Sequence, residues 1–215
     1  MNDYMDISVN THSSIRMQGD SVFYFDPWQL EHDNHDADFI FLTHDHYDHF
    51  SPDDIARVKK DSTIIVAPEM MRDMILEKTD VSEDMLLLLK PGIVKETEKI
   101  LIETVPMYNK LKPFHAKKYG YLGYIVTVGD DRYYVAGDTD LTKEVEGVSC
   151  DVAFLPIGGF YTMNASEAAK AVSLIKPSVV IPVHYGSIKG TAPYSAEDEF
   201  KSKVPKNVEV LIKLH

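Results

Sequence analysis

Thr43-His44-Asp45-His46-Tyr47-Asp48-His49 sets three imidazoles and two carboxylates within six residues. Crowding so many polar and ionisable groups is costly unless a cation holds them, and a divalent metal is the obvious candidate. In extended backbone His44 and His46 project to the same side and can reach one ion, while a following turn can swing Asp48 and His49 toward a second. Imidazole nitrogen mixed with carboxylate oxygen suits zinc first, with manganese and iron as alternatives. A polar loop with chance histidines is the plain alternative, and four ligand-type residues at this spacing argue against it.

Such a cluster needs rigid elements to position it. The apolar run Phe39-Ile40-Phe41-Leu42 leads straight into it. Runs of strand length recur at 21–25, 63–67, 100–105, 121–128, 132–136, 152–155, 179–183 and 208–212. Between them, Pro52 to Lys60 reads as a helix with Ser51 at its N-cap and Pro at its first position, and Pro68 to Lys78 repeats the proline start. Asn164-Ala165-Ser166-Glu167 resembles a capping box opening a helix that Pro177 ends, and Ser195 to Lys203 is a more polar helix. Strands before helices in both halves predict an α/β class, and unrelieved runs such as Val179-Val180-Ile181 predict strands covered on both faces. His44, Asp138 and His184 each follow the end of a strand, so the sheets would deliver them to an edge, where a preorganised site is best supported.

Length and composition set bounds. A chain of 215 residues with 44% hydrophobic residues predicts a soluble globular protein, read here as a single domain over 1–215 made of two packed βα halves. The formal charge of −12 leaves no general electrostatic footprint for nucleic acid, so nuclease activity is disfavoured. The single cysteine, Cys150, cannot form an internal disulfide and precedes an apolar run, which predicts a buried thiol in a reducing compartment. The first residues carry no apolar signal core, and no run approaches the ~20 residues of a membrane span, so a cytoplasmic location without membrane partners is expected.

His44-x-His46-x-Asp48-His49 after an apolar strand resembles the signature of the metallo-β-lactamase superfamily. Asp26-Pro27, Gly137-Asp138-Thr139 and His184 fall in that family's order, so the resemblance covers nearly the whole chain. It implies a four-layer αββα sandwich. Thr11-His12-Ser13-Ser14, Leu155-Pro156-Ile157-Gly158-Gly159 and Pro182-Val183-His184-Tyr185 look most like the branch of small hydrolases that includes ascorbate-6-phosphate lactonase. Carried over motif by motif, His44 and His46 would hold a first ion and Asp48 and His49 a second, with Asp138 bridging and His184 completing the second site. The family's third ligand to the first ion usually follows the strand ending near Val105-Pro106, where this chain reads Met107-Tyr108-Asn109. Asn109 is a weak zinc ligand, so His115 is favoured, with Asn109 left to cap the loop or contact substrate.

The resemblance implies a hydroxide shared by two ions attacking an ester, lactone, amide or phosphoester in a small-molecule substrate, with Asp48 as general base. His12 or Tyr161 would protonate the leaving group, and backbone near Gly158 and Gly159 would approach the reacting centre. Trp28 is either a pocket wall or core. Lys110, Lys112, Lys117 and Lys118 form a local basic loop that would attract an anionic group, or simply face solvent. His32, His35 and His215 have no ligand context. An iron-dependent oxidoreductase and a non-catalytic metal-binding regulatory protein are the alternatives, while oligomeric state is not legible.

Overall fold

Exposed and buried residues alternate along the first strand, Asp6-Ile7-Ser8-Val9. Residues 4–214 are described by a computed structural model, so His215 lies outside them. They divide into two units between Lys90 and Pro91.

In the first unit, strands β1 (Asp6–Val9), β2 (Ile15–Gln18), β3 (Val22–Phe25), β4 (Ala37–Phe41), β5 (Lys59–Pro68) and β6 (Leu86–Leu89) form a six-stranded sheet in sequence order. The pairings β1·β2 and β2·β3 are antiparallel and the remainder parallel. Helices α1 (Pro52–Val58) and α2 (Arg72–Lys78) supply Ile55, Val58 and Ile75 to a core that also holds Tyr24, Ile40, Leu42, Ile65 and Ala67. Ser51 caps α1 as expected, its Oγ accepting from Asp54 N at 3.3 Å. The helix ends two residues earlier than the sequence suggests, because Lys59 turns extended and opens β5. Pro68 starts no helix. It is the last residue of β5, paired with Leu89, and a short 3-10 turn at Glu69–Met71 separates it from α2. A proline's fixed φ serves a strand end as readily as a helix start.

In the second unit, β7 (Val94–Glu96), β8 (Leu101–Pro106), β9 (Leu122–Val128), β10 (Asp131–Val135), β11 (Val152–Pro156), β12 (Val179–Val183) and β13 (Glu209–Val210) form a seven-stranded sheet, again in sequence order. β7 through β10 pair antiparallel and β10 through β13 parallel. The short helix α3 (Lys143–Glu146) precedes β11, α4 (Ala165–Ile175) joins β11 to β12, and α5 (Ala196–Lys203) follows. The strands β11 and β12 are buried throughout, as parallel strands covered on both faces must be, and β10 is buried from Tyr133 to Val135. Cys150 is buried too, and burial pushes its thiol up to about 12.

These registers fix where loops emerge. In the first unit β1, β3 and β4 run the same way, so the residues after Val9, Phe25 and Phe41 leave one sheet edge. In the second, β8, β10, β11 and β12 are likewise codirectional. Their following loops are stitched by backbone bonds: Asp140 N to Tyr108 O at 3.1 Å, Met163 N to Thr139 O at 3.0 Å and Ala192 N to Gly158 O at 2.8 Å.

The capping box of α4 is complete, with Asn164 Oδ1 accepting from Glu167 N at 2.9 Å and Glu167 Oε2 from Asn164 N at 3.0 Å. Asn164→Ala is therefore expected to lower stability by about 1 kcal/mol in urea unfolding, against no change for Asn164→Ser.

Candidate metal centre

His12, Asp26 and His44 follow β1, β3 and β4 at one edge of the first sheet. Asp26 is the hub. Its Oδ2 accepts from Thr43 Oγ1 at 2.6 Å and from His49 Nδ1 at 2.7 Å, and its Oδ1 accepts from Thr43 N at 2.8 Å. Since the Thr43 hydroxyl spends its one proton on Asp26, it accepts from His44 Nδ1 at 2.9 Å. Both imidazoles therefore carry their proton on Nδ1 and present a lone pair at Nε2, an assignment fixed by the hydrogen-bond network. Burial pushes the Asp26 carboxyl up, opposed by the neighbouring His49 and by the bonds from His49 and Thr43.

The turn expected after His46 is present, with His49 N and Phe50 N donating to His46 O at 2.9 and 2.8 Å. His44 Nε2 faces His46 Nδ1 at 3.1 Å. Two nitrogens about 2.0–2.1 Å from one tetrahedral ion stand roughly 3.4 Å apart, so the pair fits a shared cation closely. Ligand atoms of His12, Asp48 and His49 lie within 4.8 Å of one another. Asp48 Oδ2 is 3.3 Å from His12 Nε2 and 3.6 Å from His49 Nε2. His12 also meets Trp28 and His49 edge-on, and Trp28 is half-buried, a wall beside the cluster and not core.

The second unit builds a matching set. Asp138 follows β10 and His184 follows β12, and Asp138 Oδ2 stands 2.8 Å from His184 Nε2 and 3.6 Å from His115 Nε2. His115 Nδ1 donates to Asn109 Oδ1 at 2.9 Å, which again leaves Nε2 as the lone pair. Asn109 Nδ2 donates to Asp140 Oδ1 at 3.2 Å and to Tyr161 O at 3.0 Å. Asn109 thus orients His115, a role between the two that its sequence position suggested. Buried imidazoles and a carboxylate, with the outer nitrogen of His115 fixed by Asn109, are a donor set a divalent metal takes.

Backbone geometry supports the same positions. His12, Asp26 and His184 all adopt positive φ, at 53°, 45° and 60°. Non-glycine residues rarely hold that conformation, and it gathers where a site imposes it. Gly158 is needed for His184: a Cβ there would lie 2.3 Å from His184 O and 2.8 Å from its Nδ1. The expectation that Gly158 and Gly159 let backbone near a ligand is thus modified, because Gly158 makes room for a protein histidine, while Gly159 turns the chain at φ 84°.

Several sequence candidates are otherwise engaged. Lys112 Nζ donates to Asp140 Oδ1 and Thr162 O, and Lys117 pairs with Glu144 at 2.6 Å, holding that carboxyl near 2. Two of the four lysines of the basic loop are thereby neutralised. His32 and His35 are exposed, as expected of residues without ligand context. Asp26 was legible only as part of an Asp-Pro pair and Asp140 not at all, because each acts through partners distant in sequence.

Residues 6–184 match the β-lactamase superfamily domain. The chain belongs to the metallo-β-lactamase superfamily. A UPF0173 metal-dependent hydrolase of Pyrococcus horikoshii is 34% identical over 216 residues, spanning 94% of this chain and 92% of its own. A crystal structure described as a metal-dependent hydrolase of Parabacteroides distasonis is 30% identical with a TM-score of 0.79, covering 98% of this chain and 94% of that one. A metallo hydrolase of Ignicoccus hospitalis shares the fold at 21% identity, TM-score 0.78, over 97% and 94% of the two chains. The mixed α/β fold with two sheets expected from the sequence is the fold of these neighbours, and the protein is a metal-dependent hydrolase. No helix among the described residues is long and apolar enough to cross a membrane.

Asp26→Asn would set an amide N–H against the Nδ1–H of His49, pushing that proton to Nε2 and removing the lone pair. A roughly 10–100-fold loss of metal affinity is expected, read by competition with a chelator. Asp54→Asn, on the α1 cap, should leave affinity unchanged.

Proposed function

We propose that the protein uses two divalent ions, zinc first among them, to hydrolyse an ester, lactone, amide or phosphoester bond in a small-molecule substrate. His44, His46 and His115 would hold one ion and Asp48, His49 and His184 the other, with Asp138 shared. The observation that carries this is the fixed tautomer of His44, His49 and His115, each with Nδ1 spent on a hydrogen bond and Nε2 left as a ligand. When bound, the ions supply a water acidic enough to ionise near neutral pH and positive charge for a developing oxyanion.

The chain's own groups handle the protons. Asp48 Oδ2 would accept the proton of the attacking water, and His12 Nε2, 3.3 Å away, would pass a proton to the leaving group. Asp26 and Asn109 hold the imidazoles in place, lowering the reorganisation needed at the moment of reaction. Tyr161 remains a second candidate for proton donor, supported by its position after β11. The resemblance of the His12, Gly158 and His184 motifs to those of the ascorbate-6-phosphate lactonase branch keeps lactones within the proposal. The pairing of Lys112 and Lys117 gives phosphate no added support. A cytoplasmic setting is supported by the one buried, unreactive thiol.

Elemental analysis after zinc reconstitution is expected to find close to two ions per chain, and reproducible absence would refute the proposal. Asp138→Ala should lower metal content and activity together, whereas His35→Ala changes neither. His115→Ala should lose about one ion. Asn109→Ala should keep both at saturating zinc with affinity reduced roughly 10–100-fold; the reverse ranking would make Asn109 the ligand.

A further inference from the structure

Phe114, Phe160 and Tyr161 form a cluster of rings with centroids 4.7, 5.0 and 5.5 Å apart, each pair crossing at 53° or more. Clusters of this kind are ordinarily core. Here Phe160 is 61% exposed, and Phe114 and Tyr161 are half-buried. Keeping large aromatic surface in water is unfavourable, so the patch calls for something to cover it.

Its placement says what. Phe114 lies in the loop after β8, next to His115, and Phe160 and Tyr161 lie in the loop after β11, at the same sheet edge from which Asp138 and His184 emerge. One side chain joins the rings to the ligand set: Asn109 accepts from His115 through Oδ1 and donates to Tyr161 O through Nδ2. The Tyr161 ring is further held by the loop after β12, where a Cβ on Gly190 would come within 3.2 Å of its hydroxyl. Lys112, in the same loop as Phe114, has its ammonium on Asp140 and Thr162 O. The surface therefore offers apolar area beside a lysine whose charge is already met.

We infer that Phe114, Phe160 and Tyr161 form a subsite for an apolar, ring-sized group of the substrate. The inference rests on the hydrolase reading above and names the substrate class of that site: esters, lactones or amides carrying an aryl or comparable alkyl group beside the scissile bond. A protein partner fits less well. Phe160 is 61% exposed and Phe114 and Tyr161 are half-buried, so only about half of the roughly 150–250 Å² of each ring is open to a partner. Even with the exposed Leu111 the patch falls well short of the roughly 800 Å² per side in a stable interface.

The test uses acetate and phenylacetate as product analogues and benzyl alcohol as a neutral probe. In calorimetry with the zinc-loaded protein, phenylacetate should bind at least about tenfold tighter than acetate, as burial of a ring implies. Phe160→Ala, at a position exposed enough to spare folding, should cut that ratio below about threefold. Benzyl alcohol should shift the aromatic NMR signals of Phe114, Phe160 and Tyr161 with or without zinc. Unshifted rings, or a ratio unchanged by Phe160→Ala, would overturn the subsite. Rings shifted by benzyl alcohol in a protein that elemental analysis finds unable to hold zinc would uphold the subsite and refute the metal-based reading instead.

Discussion

Burial of ionisable groups is the constraint on which the rest of this protein depends. His12, His44, His49, His115, His184, Asp26 and Asp138 are all 2% exposed or less. Removing a carboxylate from water costs several kcal/mol even after relaxation, and an imidazolium likewise. The chain meets that cost with hydrogen bonds that also choose a tautomer. Asp26 takes protons from Thr43 and His49, Thr43 takes one from His44, and Asn109 takes one from His115. His44, His49 and His115 are thereby committed on Nδ1, and the chemistry is left to their Nε2.

The two sheets make that arrangement affordable in conformational terms. Strands running one way release His12, Asp26 and His44 from one edge, and a second set releases Asp138 and His184 from another. The buried apolar strands cannot shift register without exposing a core face. Strained backbone at His12, Asp26 and His184 is tolerated because the flanking strand residues are pinned. Gly158 shows how little slack remains, since a single methyl would strike the His184 carbonyl.

Much of this was legible in the sequence where the signal is contiguous. The His44 to His49 run, Ser51 at its cap, the capping box at Asn164 and the apolar runs of β4, β11 and β12 all announce themselves over a few residues. β1, β2 and β7 did not. They are three or four residues long and alternate polar with apolar, as in Asp6-Ile7-Ser8-Val9, which is a weak signal at that length. The leucines of β6 favour a helix as readily as a strand. Pro68 carries a φ suited to either element, and the parallel pairing of β5 with β6 decided between them. The roles of Asp26, Asn109 and Asp140 were hidden for another reason: each depends on a bond to a residue 6 to 31 positions away, and no local pattern encodes such a bond. Likewise the lysines around His115 read as either an anion-attracting loop or solvated surface, and the sequence does not show that Asp140 and Glu144, far along the chain, hold Lys112 and Lys117.

The central claim is that these fixed Nε2 lone pairs are metal ligands. Anomalous diffraction at the zinc edge from crystals of the reconstituted protein tests it most directly. The account predicts peaks about 2.0–2.1 Å from Nε2 of His44, His49 and His115 and from a ring nitrogen of His184, with Asp138 oxygens at about 2.0–2.2 Å. Well-ordered crystals of zinc-loaded, active protein with no anomalous peak near these atoms would contradict it.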